Sequence, residues 1–329
     1  MKPWLWLGDA GATAQRRADL WRLLGPRPML DDAPSGTLIK REVTEFARVE
    51  HCTLSLNSEE PVPALLLHPL HEPPRGIVLY CHAHGNHYDM GKAELLKGRP
   101  ALQSPPYGEV LPAMGYAVLA IDHWCFGERA PPVGRTERAM IKRLLWEGKT
   151  LWGYRVHDTL VALEWLRSRA GFADLPVTTL GLSMGSTMAI WAAALEPSII
   201  ACIDICCLAE FDALLASGTF DLHGEYFFVP GLLAEFSAAE ISALIAPRRH
   251  LSMVGLADPL TPLDGVVSVD AAMAETYHAL GSANGWSQYR SRVGHVETAE
   301  MRELVLRELT RKSSNGSVGR GEAPQNAIS

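Results

Sequence analysis

No C-x-x-C pair and no zinc-finger spacing occurs among the six cysteines Cys52, Cys81, Cys125, Cys202, Cys206 and Cys207. That leaves no footing for a disulfide framework or a structural zinc module. Several of these residues stand inside apolar runs, where a free thiol behaves as a small buried hydrophobe. A reduced, cytoplasmic protein is therefore expected. Positive charge is also short: the net charge is −7, and no Lys/Arg cluster is interleaved with aromatics. A nucleic-acid partner is not expected. The apolar stretch Trp4 to Leu7 is too short for a signal core and is closed by Asp9. One uncharged run, Leu175 to Leu195, is long enough to span a bilayer. Its Pro176 and its Thr, Ser and Gly content fit a buried strand and a core helix better, so no membrane association is expected. No internal repeat is visible.

What is present is ordinary globular material. The chain has 329 residues, 47% of them hydrophobic and 20% charged, enough to bury a substantial core. A helix is expected over residues 12–24, a polar connector over 29–38, and antiparallel strands over 42–56 and 64–68. Continuous apolar runs at 76–83 and 116–121 read as strands buried on both faces. A long loop over 123–149 carries the basic residues Arg135, Arg138, Lys142 and Arg143, which suit a solvated face or an anionic substrate. Val156, Leu160, Leu163 and Leu166 give one apolar face to a helix over 150–169. Further strands are expected at 177–180, 198–207, 249–255 and 286–291, with helices over 265–280 and 298–309. This divides the chain into an N-terminal helical extension (1–40), an α/β domain (41–310) with an aromatic-rich insertion (208–247) that caps the sheet end, and a polar, Gly/Ser-rich tail (311–329) expected to be disordered.

The alternation from 76 to 309 implies a mostly parallel sheet with helices on both faces, which places chemistry beyond the carboxyl ends of the strands. One such end is Gly181-Leu182-Ser183-Met184-Gly185, a G-x-S-x-G between a strand and a helix. Glycines flank the serine because the sharp reversal brings two backbones together. The hydroxyl is lifted off the sheet, and the backbone N–H groups behind it open a helix, where they can stabilise an oxyanion.

A serine hydroxyl needs a histidine base, and the base needs a carboxylate to orient it. The loop after the strand at 249–255 supplies Asp258, and the loop after the last strand supplies His295. Ser183, Asp258, His295 is the chain order of α/β-hydrolases. The rivals are less well placed. His250 starts a strand, His278 lies within a helix, and Asp204 sits mid-strand, where a buried hydrogen-bonded role fits better. The second oxyanion donor, beside the N–H of Met184, is expected from the loop after residue 83, with Asn86 the best placed and His84 bracing it. The cluster His82, His84 and His87 alternates in direction and has no carboxylate or thiolate at a ligand spacing. Neither metal nor other cofactor is expected. Trp124 and Phe126 are expected to wall the pocket with the insertion's aromatics, and His84, Trp124 and Phe126 to contact substrate.

At these motifs the chain resembles serine α/β-hydrolases of the dienelactone hydrolase and acetyl xylan esterase type. The matching pieces are His84-Gly85-Asn86, Asp122 through Arg129, Gly181 through Gly185, Gly255 through Pro262 and Gly294 through Thr298, within residues 40 to 310. The resemblance implies an α/β-hydrolase fold with a helical insertion over the active site, Ser183 as nucleophile, His295 as base, Asp258 as its partner, and Asn86 with Met184 as oxyanion donors. Dienelactone hydrolases proper use a cysteine nucleophile, so Ser183 favours an esterase. The resemblance is closer to larger bacterial members with an N-terminal helical extension. The expected function is hydrolysis of small-molecule, short-chain acyl esters through an acyl-enzyme. The same triad acting on an acetylated sugar, lactone, amide or carbon–carbon bond stands as the alternative, with a non-catalytic binding protein further off. The sequence leaves a homo-oligomer open.

Overall fold

In the computed structural model, which describes residues 4–131 and 136–311, nine strands form one sheet in the order β1-β2-β3-β5-β4-β6-β7-β8-β9. They are β1 (Ser35–Val43), β2 (Arg48–Ser55), β3 (Val62–His68), β4 (Gly76–Cys81), β5 (Tyr116–Ile121), β6 (Val177–Leu182), β7 (Ile199–Ile205), β8 (Arg249–Gly255) and β9 (Trp286–Ser291). The first three are antiparallel to their neighbours, and the six from β5 to β9 are parallel.

The inner parallel strands β4 and β5 are buried on both faces, which is why they read as continuous apolar runs, whereas the edge strand β9 buries only Trp286. Alternate residues feed two cores, as the two-residue period requires. Ile77, Leu79 and Cys81 of β4 face one core with Ala117, Leu119 and Ile121 of β5. Val78 and Tyr80 face the other with Tyr116, Val118 and Ala120. Helices Leu151–Ser168, Met184–Leu195 and Leu263–Ala279 pack on the first side. Helix Ala299–Thr310 and the short Tyr107–Ala113 pack on the second. This is the α/β-hydrolase arrangement.

Two expectations are corrected. The stretch over 42–56 is the second half of a hairpin, and the last four residues of the 29–38 connector are drawn into its first strand, β1. The turn contains no glycine or proline. Instead the Thr44 hydroxyl accepts the N–H groups of Phe46 and Ala47, and the Thr44 N–H donates to the Ala47 carbonyl at 2.9 Å. Such a side-chain-closed turn lacks the usual punctuation. Within the long loop over 123–149, residues Glu137–Trp146 form a helix capped by the Thr136 hydroxyl. Arg138, Lys142 and Arg143 lie on its exposed side, with Arg138 paired to Glu225 and Arg143 to Glu147. Arg135 and the tail from 312 lie outside the described residues.

The N-terminal helix Ala10–Leu23 packs behind the sheet and reaches the helix that follows Ser183. Arg17 donates to the carbonyls of Ala194 and Leu244, both at 2.9 Å. Between β7 and β8, the insertion folds into short helices and turns that touch both neighbouring loops. Thr219 donates its hydroxyl to the Pro259 carbonyl at 2.9 Å, and Tyr226 stacks on His84 at 4.7 Å.

Candidate active site

The turn at the end of β6 is a strained strand-to-helix reversal. Ser183 has φ 59° and ψ −120°, a backbone region that non-glycine residues rarely occupy and that costs on the order of 1–3 kcal/mol. The surrounding packing enforces it. A Cβ on Gly185 would lie 1.9 Å from the Cys81 carbonyl oxygen, and one on Gly181 would lie 2.3 Å from the Gly185 carbonyl. The Ser183 N–H is held by the Ile205 carbonyl at 2.9 Å, which ties the turn to the end of β7. Met184 opens the following helix, so its N–H is among those that no helical carbonyl can satisfy.

Asp258 and His295 meet beyond β8 and β9. His295 Nδ1 lies 2.6 Å from Asp258 Oδ2, the Asp258 carboxylate is fully buried, and the imidazole is one-quarter exposed. The other carboxylate oxygen accepts the Leu260 N–H at 2.9 Å. The two loops are laced together by Leu256 N–H to the Ser291 carbonyl (2.7 Å) and Ala257 N–H to the Val293 carbonyl (2.9 Å). This approach requires glycine at 255, since a Cβ there would sit 2.1 Å from the Gly294 oxygen. Cys206, the residue after Ile205, links the serine turn to the pair. Its Sγ, a carboxylate oxygen of Asp258 and a ring nitrogen of His295 all lie within 4.8 Å of one another. Among the described residues, these three are the set of metal-ligand types that converge. Burial pushes the Cys206 thiol up to about 12.

The rival acid and base are used elsewhere. Asp204 and His250 bind each other, and the His278 ring belongs to the helix Leu263–Ala279. The histidine cluster disperses. His82 is buried, with Nδ1 3.1 Å from the Ala83 carbonyl and Nε2 accepting the His123 N–H at 3.2 Å, and burial depresses its pKa to about 3. His87 is exposed.

His84 is buried and binds Glu137, and Asn86 is exposed, its backbone N–H 3.1 Å from His84 Nδ1. Trp124 is nearly buried and Phe126 has no exposed surface, so both are packed into the core and offer no open wall. The loop that carries them turns back under the site, with Phe126 against His82, His84 and Tyr88. Of the insertion's aromatics, Tyr226 and Phe236 are buried and Phe228 is exposed.

Three buried residues escaped the sequence reading. Arg155, fully buried in the helix Leu151–Ser168, donates to Glu137 and to the Trp124 carbonyl and lies 3.3 Å from Met184 Sδ. Glu137 lies at the start of the helix hidden in the long loop. Glu297, two residues beyond His295, accepts both Arg302 Nε and Nη2 at 2.8 Å and the Gln103 N–H at 2.8 Å, which anchors the loop that carries His295. Its place beside the histidine was the one sequence signal available.

No family model matches the chain. A curated protein of Bacillus subtilis (strain 168), named "Putative hydrolase YtaP", is 41% identical over 298 residues, which is 90% of this chain and 98% of that one. The chain belongs to the same family as that protein. Solved structures share the fold. A "putative acetyl xylan esterase" from Bacteroides fragilis NCTC 9343 superposes with a TM-score of 0.67 at 17% identity, over 91% of this chain and 87% of the other. A glucuronoyl esterase from Solibacter usitatus gives 0.63 at 15% identity, over 91% and 92%. At those identities the likeness speaks for the α/β-hydrolase fold. No described helix is long and apolar enough to cross a membrane.

Proposed function

We propose that the protein is a carboxylic ester hydrolase acting on short-chain acyl esters of small molecules, with Ser183, His295 and Asp258 as its triad. The observation that carries this is the 2.6 Å contact between His295 Nδ1 and the buried Asp258 carboxylate, with Cys206 against that pair and the strained Ser183 turn tied to Ile205, the residue before Cys206. Asp258 on Nδ1 leaves Nε2 as the basic nitrogen. In the proposed reaction Ser183 Oγ attacks the ester carbonyl carbon while its proton passes to His295 Nε2. The oxyanion takes a hydrogen bond from the N–H of Met184, and a second from the N–H of Asn86 once that group turns away from His84 Nδ1, which it meets at 3.1 Å. Collapse expels the alcohol, which takes the proton from His295, and leaves an acyl-Ser183. Water, deprotonated by His295, then releases the acid and restores the hydroxyl.

The relative named a hydrolase and the fold neighbours named esterases support this reading. So does the strained serine turn, because backbone strain of this kind gathers at functional sites. The six free cysteines fit a reducing, cytoplasmic setting. No cofactor enters the scheme.

A panel of p-nitrophenyl esters of increasing acyl length, with acetylated sugars alongside, tests it. Turnover of acetate or butyrate esters that disappears in Ser183→Ala supports the assignment. Turnover that survives the substitution removes Ser183 as the nucleophile.

A further inference from the structure

Cys206 follows β7 directly and has φ 57°, a left-handed backbone that residues with a side chain rarely adopt. Its N–H is held by the Met253 carbonyl at 2.7 Å, so the neighbouring strand fixes this conformation. The two adjacent thiols go to different places. Cys207 meets the Thr187 hydroxyl at 3.0 Å, whereas Cys206 Sγ lies 3.6 Å from the Val296 carbonyl, on the loop that carries His295. A thiol is a weak donor, so that contact alone gives sulfur little to do at position 206.

The Cys206 sulfur, a carboxylate oxygen of Asp258 and a ring nitrogen of His295 lie within 4.8 Å of one another. One is a soft ligand, one hard and one intermediate, and zinc accepts all three. Tetrahedral zinc, with bonds of about 2.3 Å to sulfur and about 2.0–2.2 Å to nitrogen and oxygen, sets its ligand atoms roughly 3.5 Å apart. The 2.6 Å contact between His295 and Asp258 then has to open by about 0.9 Å, and the sulfur to close in by at most about 1.3 Å. Charge also balances. A carboxylate and a thiolate together match a dication, which suits a place where the Asp258 carboxylate is fully buried. The His295 ring, one-quarter exposed, offers the way in, and water can fill the fourth position there.

We propose that Cys206, Asp258 and His295 bind a thiophilic divalent cation, zinc or cadmium, and that the bound ion arrests ester hydrolysis. The arrest rests on the triad proposed above; the binding does not. A metal–sulfur bond forms as the Cys206 S–H bond breaks, and the thiol proton leaves to solvent. On His295 either nitrogen gives the same outcome. An ion on Nδ1 displaces the ring proton to Nε2, which then has no lone pair to receive the Ser183 proton. An ion on Nε2 occupies the base itself.

The test uses the full-length chain, p-nitrophenyl butyrate and the chlorides of zinc, cadmium and magnesium. Zinc and cadmium are expected to inhibit, and magnesium, which prefers oxygen ligands, to leave turnover unchanged at the same concentration. Cys206→Ala should raise the cadmium inhibition constant by about tenfold or more, since even an outer partner of a metal ligand is worth roughly 10–100-fold. Cys207→Ala removes the neighbouring thiol and should keep the wild-type constant. Inhibition constants do not depend on the folded fraction, so loss of stability alone cannot produce this split. Binding is read separately from turnover. Cadmium added to Ser183→Ala should give the ultraviolet charge-transfer band of a cadmium–thiolate bond, saturating at one ion per chain, and adding Cys206→Ala to that variant should abolish it. Wild type that is not inhibited, Cys206→Ala inhibited as strongly as wild type, an equal loss in Cys207→Ala, or a band that survives Cys206→Ala each overturn the proposal. Failure of the esterase reading is distinguishable, because it appears as turnover that persists in Ser183→Ala while the cadmium band is unaffected.

Discussion

Asp204 and His250 face each other across β7 and β8 with a carboxylate oxygen 2.8 Å from Nε2 and neither side chain exposed. The second Asp204 oxygen accepts the hydroxyls of Ser252 at 3.0 Å and Ser186 at 3.4 Å. An acid, a base and two serines therefore meet without solvent contact. A buried carboxylate needs such company, because stripping a charge of water is costly unless it is paired and hydrogen-bonded.

This cluster and the proposed triad should respond in opposite ways to substitution. Asp204→Ala leaves His250 and two hydroxyls without their acceptor, and a loss of about 3–5 kcal/mol in urea unfolding is expected. Asp258→Asn removes the charge that orients His295. It should lower kcat by about 10³–10⁴-fold, the order for an amide in place of a triad carboxylate, with stability changed by less than about 1 kcal/mol. If Asp204→Ala abolishes turnover at full stability while Asp258→Asn stays active, the assignment of acid and base is reversed.

Much of the fold could be read because the inner parallel strands are apolar runs bounded by turn formers, as at Gly76–Cys81 and Tyr116–Ile121. Candidate site positions were legible for a related reason: Ser183, Asp258 and His295 each follow a strand closely, and Ser183 and Asp258 stand near glycines that a close approach demands. The Thr44 hairpin was not legible, since a hydroxyl does the work usually signalled by glycine. Neither was the Glu137–Arg155 pair. Those residues become partners only when the helix at 137–146 folds over the loop after β4, and nothing local in the sequence marks either as buried. Phe126 and Trp124 read as pocket walls from their type, but the loop turns inward and spends them on the core.

Crowding at the serine turn gives a second test. A methyl at position 185 would sit 1.9 Å from the Cys81 oxygen, which belongs to a strand backbone and cannot swing aside. Gly185→Ala should therefore cost on the order of 3 kcal/mol and displace Ser183. At Gly8 a Cβ meets nothing within 4 Å, so Gly8→Ala is the control and should remain within about 0.5 kcal/mol of wild type. Equal melting temperatures for the two variants would contradict the packing described here.

Stability should fall on mild acidification. Burial lowers the pKa of His82 from 6.5 to about 3 and carries His123 well below the same ordinary value. For a base lowered in the folded state, the unfolded chain binds more protons between the two pKa values, so stability is present above pH 6.5 and is lost as pH falls. Each fully buried imidazole contributes about 1.4 kcal/mol per pH unit in that window. Glu137 adds a later loss. Burial alone would raise its pKa, but the His84 hydrogen bond and the Arg155 charge override this and hold it at about 2, so its contribution disappears between 4.5 and 2. Glu94, raised by burial, acts in the opposite direction but is one group against several imidazoles. Urea midpoints at pH 7.5 and 5.5 check this, and a flat profile would contradict it.

The N-terminal helix should contribute stability and leave catalysis alone. Arg17 donates to the Ala194 carbonyl at the last turn of the helix that Ser183 begins, and to the Leu244 carbonyl. Arg248 reaches the neighbouring Ala193 and Glu196 carbonyls at 2.7 and 3.1 Å. Two cations thus satisfy the carbonyl end of the helix whose opposite end faces the proposed oxyanion, in the orientation its dipole favours. Arg17→Ala removes two charge-assisted hydrogen bonds while Arg248 still covers part of the terminus, and a loss of about 2 kcal/mol is expected. The 12-residue helix separates Arg17 from Ser183 by roughly 18 Å. Activity per folded molecule, titrated with an irreversible serine reagent, should therefore match wild type in both kcat and KM. A fall in kcat with an unchanged melting temperature would instead mean that the end of this helix is coupled to the serine turn, and that the extension is part of the working enzyme rather than a support for it.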